Sequence, residues 1–426
     1  MAMRITAVGD GAIQKRLPKY YAGFDQVRDY IMQGDVRFFN METTVCEDCY
    51  AATHSGGTWM RTSPDVLEDV LEYGFNVTTS ANNHCMDYSY GGFLQTLDNF
   101  KKLRLPQCGG GRSLAEASRP VYLDTPNGRA AVIGCTVSYS PGAEAGEQSR
   151  DLPGRPGINP VRTEKVVYVT KEELEQLSQI AEETKLNALY KILQAEGYRP
   201  PDKADTLRFC DTEFRVGEPR ISYTLSEYDM ERIERAIQDA KFQADVVLVS
   251  IHNHSITGTS KEEPPEFLVE FAHRCIDAGA HAILGHGPHL LQAVEIYKDL
   301  PIFYSLGDFI LQLENCQIMP DDYYCKYGLR PDAGIYEVFK ARTKNFTTGL
   351  QYQPVMMEAV IPCFEIEDGK LKHLEMIPIE LGVGMKHSQI GWPRIAKDDS
   401  ILQRLAKLSA PFGTKMWIED GKLIVK

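Results

Sequence analysis

Five short runs of the chain carry apolar residues into a polar stop. ITAVG (5–9) runs into Asp10, and VRFF (36–39) into Asn40-Met41-Glu42. FNVTTSA (75–81) runs into Asn82-Asn83-His84. DVVLVSI (245–251) runs into His252-Asn253-His254, and AILG (282–285) into His286-Gly287-Pro288-His289. Leaving such groups buried without partners is costly, so they must cap, bind or react with something. Carboxylate oxygens, an amide oxygen and imidazoles are the donor set for one or two divalent ions of the Mn, Fe, Zn or Mg kind. Two such ions about 3.5–4 Å apart clamp a phosphoryl group and make water a nucleophile near neutral pH.

The elements that must position these residues follow from hydrophobic periodicity. FDQVRDYIMQG, PDVLEDVLEYG (64–74) and GGFLQTLDNFKKL read as helices, the second stopped by Gly74. RAAVIGCTV (129–137) reads as a strand. YDMERIERAIQDAKFQ and PPEFLVEFAHRCIDAG are helices on either side of DVVLVSI, and QAVEIY (292–297) and PIFYSL (301–306) are short strands. Strand–helix alternation predicts an α/β fold with a largely parallel, covered sheet. In such sheets ligands bind at the carboxyl ends of the strands, where all five polar stops fall. The last hundred residues carry strand-like runs, with a hairpin turn at Asp368-Gly369.

Residues 138–230 break the pattern. SPGAEAGEQSRDLPGRPGINP reads as an exposed loop, and KEELEQLSQIAEETKLNALYKILQAEG as a charge-laced amphipathic helix. The expectation is a helical insertion, either a lid or a solvated decoration.

Composition narrows the function. A net charge of −13 lacks the basic footprint of a nucleic-acid binder and gives no attraction to anionic lipid. No apolar stretch reaches the roughly 18 residues of a membrane helix. MAMRITAVGD opens on a strand rather than a basic leader, so no signal peptide and a cytoplasmic location are expected. Cys46-x-x-Cys49 lacks the second pair of a structural zinc site and reads as a reduced, incidental pair.

AVGD (7–10), NME (40–42), SANNHCMD (80–87), VSIHNH (249–254), GHGPHLLQAVE (285–295) and IFYSLGDF (302–309), in this order, resemble the calcineurin-like metallophosphatase superfamily. Within it they are most similar to the CapA/PgsA branch of capsule and poly-γ-glutamate synthesis proteins. The resemblance implies a four-layer α/β/β/α sandwich forming one domain over 1–426. Residues 138–230 would be inserted in it, and strands from 320–426 would complete it. It also implies divalent metal ligands at Asp10, Glu42 (the bridging carboxylate), Asn83, His252, His286 and His289. His84 would protonate a leaving group, and Asp10, His84 and His289 are the candidate catalytic residues. The chain departs from the phosphatase pattern at three places. Asp10 is followed by Gly11-Ala12 instead of an x-His pair, Glu42 replaces Asp, and the last histidines are spaced His286-x-x-His289. His254, with Trp59 and Arg61 of the loop GGTWMRTSP, is a candidate substrate contact. Asp87 reads as orienting His84 or as a local cap, and Asp308 as near the site or as a chain turn. Gly109-Gly110-Gly111 reads as a flexible turn, and His273 and His281 as structural.

Three functions are compatible with these residues. The first is metal-dependent hydrolysis of a phosphoester or of a γ-glutamyl or peptide amide. The second, implied by relatives recruited as peptide epimerases, is metal-independent acid–base chemistry by an Asp10/His289 pair across an α-carbon. The third is a non-catalytic role in polymer synthesis. CapA-type proteins are usually tethered at the N-terminus, whereas this chain opens directly on a strand. That favours a small-molecule or peptide substrate.

Overall fold

A computed structural model describes residues 2–18, 21–53, 57–203, 205–313, 316 and 319–426. Two large sheets organise the chain. In the first, Met3–Ala12, Val36–Asn40 and Val77–Thr79 run parallel, and Asp308–Leu311 lies parallel on the other side of Met3–Ala12. In the second, Gly128–Thr136, Val246–His252 and Ala282–His286 run parallel. All seven residues of Val246–His252 are buried, as the covered faces of a parallel sheet require.

One hydrophobic core joins the sheets. Ile5, Ala7, Phe38 and Val77 of the first meet Val132, Leu248, Ile283 and Phe303 of the second. Helices Glu227–Gln243 and Glu266–Ala278 add Ile233, Ile237, Phe267 and Phe271 to it. The second helix begins after Pro265 and ends at Gly279, whose φ of +119° suits a left-handed cap. The opposite face of the first sheet packs Phe39 and Phe309 against Val27, Ile31 and Val70 of helices Phe24–Ile31 and Val66–Glu72.

The C-terminal part extends the first sheet. Glu358–Glu367 pairs antiparallel with Met3–Ala12 and forms a hairpin with Lys370–Glu380. Asp368 and Gly369 turn it with positive φ at both positions. Residues 320–357 carry two short α-helices instead, Asp321–Lys326 and Ile335–Arg342.

The insertion differs from the expected purely helical one. It holds helices Lys171–Glu183 and Ala188–Ala195, but also a four-stranded sheet ordered Thr206–Phe209, Thr212–Val216, Thr163–Val169, Arg220–Leu225. These strands are half-exposed and rich in charge, so their two-residue alternation is blurred in the sequence. Among the described residues no helix is long and apolar enough to cross a membrane. All ten cysteines are free, Cys46 buried and Cys49 exposed.

Candidate metal centre

The parallel registers bring the polar stops together. Asn40 lies opposite Asp10 and Thr79, and His252 opposite His286. Asn40 donates through Nδ2 to Asp10 Oδ1 at 2.6 Å, and its own Oδ1 accepts from Asn82 Nδ2 at 3.0 Å. Asn82 also accepts from the His84 backbone N–H. Asn82 therefore ties the second and third strand ends into one frame, which leaves Asn83 and His84 to face the site.

Four donor atoms converge beside that frame. His252 Nε2 lies 2.7 Å from Asn83 Oδ1 and 3.0 Å from His254 Nε2, and His254 Nε2 lies 3.2 Å from Asn83 Oδ1. Glu42 Oε1 is 3.5 Å from His252 Nε2 and 3.7 Å from His254 Nε2. A four-coordinate ion with bonds of about 2.0–2.2 Å holds its donors roughly 3.3–3.6 Å apart, inside the observed range. Glu42 is fully buried, yet neither carboxylate oxygen has a hydrogen-bond partner. Burial first, then the nearby Asp10, Asp308 and Asp87 carboxylates, push its pKa well above the usual carboxylate range. A divalent cation would satisfy both oxygens and remove that penalty, so these residues fit a metal.

His286 faces the other side of His252. Its Nδ1 lies 2.8 Å from His252 Nδ1, and its Nε2 lies 2.8 Å from Ser250 Oγ. Both ring nitrogens thus have protein partners. Asp10 Oδ1 completes a group with His252 and His286 whose donor spacing also suits an ion. None of these three residues lines the cavity beside Glu42, and Asp10 accepts from Asn40 and, through Oδ2, from the Gly287 N–H at 2.8 Å. The unpaired oxygens of Glu42 make the other cluster the better fit for a cation. Burial opposes ionisation of Asp10, but its hydrogen bonds and the facing imidazoles hold its pKa well below the usual range. Burial also brings His252 down to about 4, so its ring is neutral and able to ligate.

A cavity of roughly 550 Å³ opens onto Glu42, Asn83, His84, His254 and His289. One wall is apolar, with Met60, Leu311, Leu313 and Leu350, and Lys261 and Arg342 add two cations. His84 Nδ1 is 2.7 Å from Asp87 Oδ2, which also accepts from the Met60 N–H. This leaves Nε2 as the ring nitrogen available to the cavity. His289 Nδ1 lies 3.0 Å from Asp308 Oδ1, and its backbone takes a φ of +63°, the kind of strain that accumulates at functional sites. Gly287, two residues earlier, has a φ of +120°. A Cβ there would meet the Asn253 backbone at 2.6 to 2.9 Å, so the turn requires glycine.

Several expectations are placed differently by the geometry. Asp10 is not among the residues lining the cavity, but its carboxylate and His289 belong to one group whose donor atoms lie within 4.8 Å of one another. His254 stands among the candidate metal donors and also lines the cavity. Trp59 and Arg61 lie behind the cavity wall. The Trp59 indole N–H donates to Thr53 O, and its ring packs edge-on against Tyr323. Arg61 pairs with Asp48 and lies over the Tyr88 ring. Their loop reaches the cavity through Gly57, Thr58 and Met60 instead. The insertion lends only Tyr139 and Ser140 to the lining, from its first residues.

An α/β fold that collects carboxylates, an amide and imidazoles at its strand ends is that of a metallophosphatase-like protein. Residues 4–313 match the family described as bacterial capsule synthesis protein PGA_cap, and the chain belongs to that family. It is 32% identical over 98% of its length to uncharacterized protein y4sH of Sinorhizobium fredii (strain NBRC 101917 / NGR234), covering 91% of that protein. It is 26% identical over 253 residues to PGA biosynthesis protein CapA of Bacillus subtilis, 59% of this chain and 46% of that one. A protein of Mycobacterium tuberculosis named "Probable polyglutamine synthesis accessory protein" is 24% identical over 277 residues, 65% of this chain and 55% of its own.

Proposed function

We propose that this chain is a metal-dependent hydrolase of a phosphoester or of a γ-glutamyl or peptide amide bond. The observation that carries this reading is Glu42, a fully buried carboxylate with two unpartnered oxygens on the floor of a cavity. Glu42, Asn83, His252 and His254 would hold a divalent ion. Bound there, the ion polarises the scissile group and makes water nucleophilic near neutral pH. Lys261 and Arg342 bind the anionic part of the substrate, and the apolar wall receives its hydrocarbon part. His84, steadied by Asp87, delivers a proton from Nε2 so that the leaving group departs neutral. Relatives named for PGA biosynthesis and polyglutamine synthesis support glutamyl amides beside phosphoesters as substrates. We also read the two sheets, sharing one core, as the centre of the four-layer sandwich.

The test is to strip the protein with chelator, reload it with Mn2+ or Zn2+, and assay p-nitrophenyl phosphate and a γ-glutamyl anilide. Turnover that depends on metal and stops with EDTA is expected. No turnover of either substrate with either ion overturns the proposal in favour of an accessory role. Deuterium uptake into a peptide in the presence of EDTA would favour acid–base epimerisation instead.

A further inference from the structure

The first strand carries Asp10 but offers Ala12 two residues on, where a histidine would have supplied another imidazole. The neighbouring strand brings a different donor to the same place. Asp308–Leu311 runs parallel to Met3–Ala12 with Asp308 in register with Asp10. The two segments come unusually close: a Cβ on Gly9 would lie 1.8 Å from Gly307 O, and Gly307 itself takes a φ of +75°. Side chains larger than hydrogen at these positions would push Asp308 away from Asp10.

Asp308 is fully buried. One oxygen, Oδ1, faces His289 Nδ1, and the other, Oδ2, has no partner. Donor atoms of Asp10, Glu42, His289 and Asp308 all lie within 4.8 Å of one another. Asp10 keeps lone pairs free beyond its two hydrogen bonds, because a carboxylate has about four acceptor sites. Glu42 belongs to this group and to the cluster with His252 and His254.

We propose that Asp308 supplies the ligand missing at Ala12 and completes a second divalent-cation position with Asp10, His289 and Glu42, in which Glu42 would be common to both positions. This rests on the reading of Glu42, Asn83, His252 and His254 as the first metal position. The two positions differ in chemistry. Three carboxylates and one imidazole suit a hard ion such as Mn2+ or Mg2+, whereas two imidazoles, an amide and a carboxylate suit Zn2+ or Fe2+ as well.

The test is Mn2+ loading of the full chain, read by elemental analysis and by low-temperature electron paramagnetic resonance. Wild type should hold two Mn2+ per chain with an exchange-coupled spectrum. Asp308→Asn can still accept from His289 but has lost its charge; it should hold one Mn2+ with a six-line mononuclear spectrum. His289→Gln, the second variant should Asp308→Asn not fold, should do the same. Two ions in wild type and still two in a folded variant overturn the role of Asp308. One ion in wild type overturns the second position and leaves the single-ion hydrolase standing. No ion in wild type overturns both.

Discussion

His252 and His286 meet nitrogen to nitrogen, with their Nδ1 atoms 2.8 Å apart. In such a contact one nitrogen donates and the other accepts. His286 is held from both sides, its Nε2 lying 2.8 Å from Ser250 Oγ and its Nδ1 against His252. His252 in turn points Nε2 at Asn83 and Glu42. His286→Phe should keep the ring's bulk, remove the partner of His252 Nδ1, and weaken metal binding about 10–100-fold, as removal of such supports does. Competition against a fluorescent chelator measures this, and an unchanged affinity would remove His286 from that role.

The His84–Asp87 pair predicts a different signature. Neither residue belongs to the metal donors, so His84→Asn should lower kcat roughly 10²–10⁴-fold with metal content unchanged. Asp87→Asn should lower it less, because the imidazole stays in place. A lost metal ion in His84→Asn would show that the side chain serves the centre rather than the leaving group.

Lys261 and Arg342 should act on binding. Arg342 Nη1 donates to Tyr323 OH at 2.9 Å, and Trp59 packs against that tyrosine, so this cation is held in place before substrate arrives. Lys261→Ala and Arg342→Ala should each raise KM about tenfold, ~1.4 kcal/mol, with kcat nearly unchanged. An equal fall in kcat for an uncharged substrate would contradict the assignment.

His281 sets a pH dependence far from the metal. Burial, and secondarily Lys241, lower it to about 4, and its Nδ1 accepts from the Val247 N–H at 2.9 Å. In the unfolded chain it titrates near ~6.5. Above that pH neither state binds the proton, and the contribution to stability is complete. As pH falls from about 6.5 to about 4, only the unfolded chain takes up the proton. Stability should fall through that window by up to ~3 kcal/mol and level off below it. Urea unfolding in EDTA should show this slope in wild type, reduced in His281→Asn. Parallel curves would assign the slope to other groups.

The five strand ends are legible because a parallel sheet demands long apolar runs, and a cluster such as Asn82-Asn83-His84 at the end of one stands out. Asp308 opens the short strand Asp308–Leu311, and Gly307 just before it gives the stretch the look of a turn. Only its register with Asp10 reveals its place. Which nitrogen of His286 faces which partner is a three-dimensional fact that spacing does not encode. Trp59, in a glycine-containing loop, reads as a candidate substrate contact; the residues packed around it, Tyr323, Val338 and Phe339, come more than 260 positions later. The triple glycine at 109–111 reads as a flexible turn, yet Gly110–Gly111 pairs with Gly157–Ile158 and a Cβ on Gly109 would strike Ala81 at 2.6 Å.

The cavity draws residues from Ala12 to Leu350, with Asn83, His254, His289 and Arg342 between them. A ribosome emitting this chain in order has released Glu42 and Asn83 long before His252 and His254 appear. The early donors can therefore hold a cation only loosely while synthesis continues. In the proposed centre, selection of the metal would fall to the finished protein and to whichever ion it then encounters, so growth conditions during expression should leave their mark on the metal found in the purified protein.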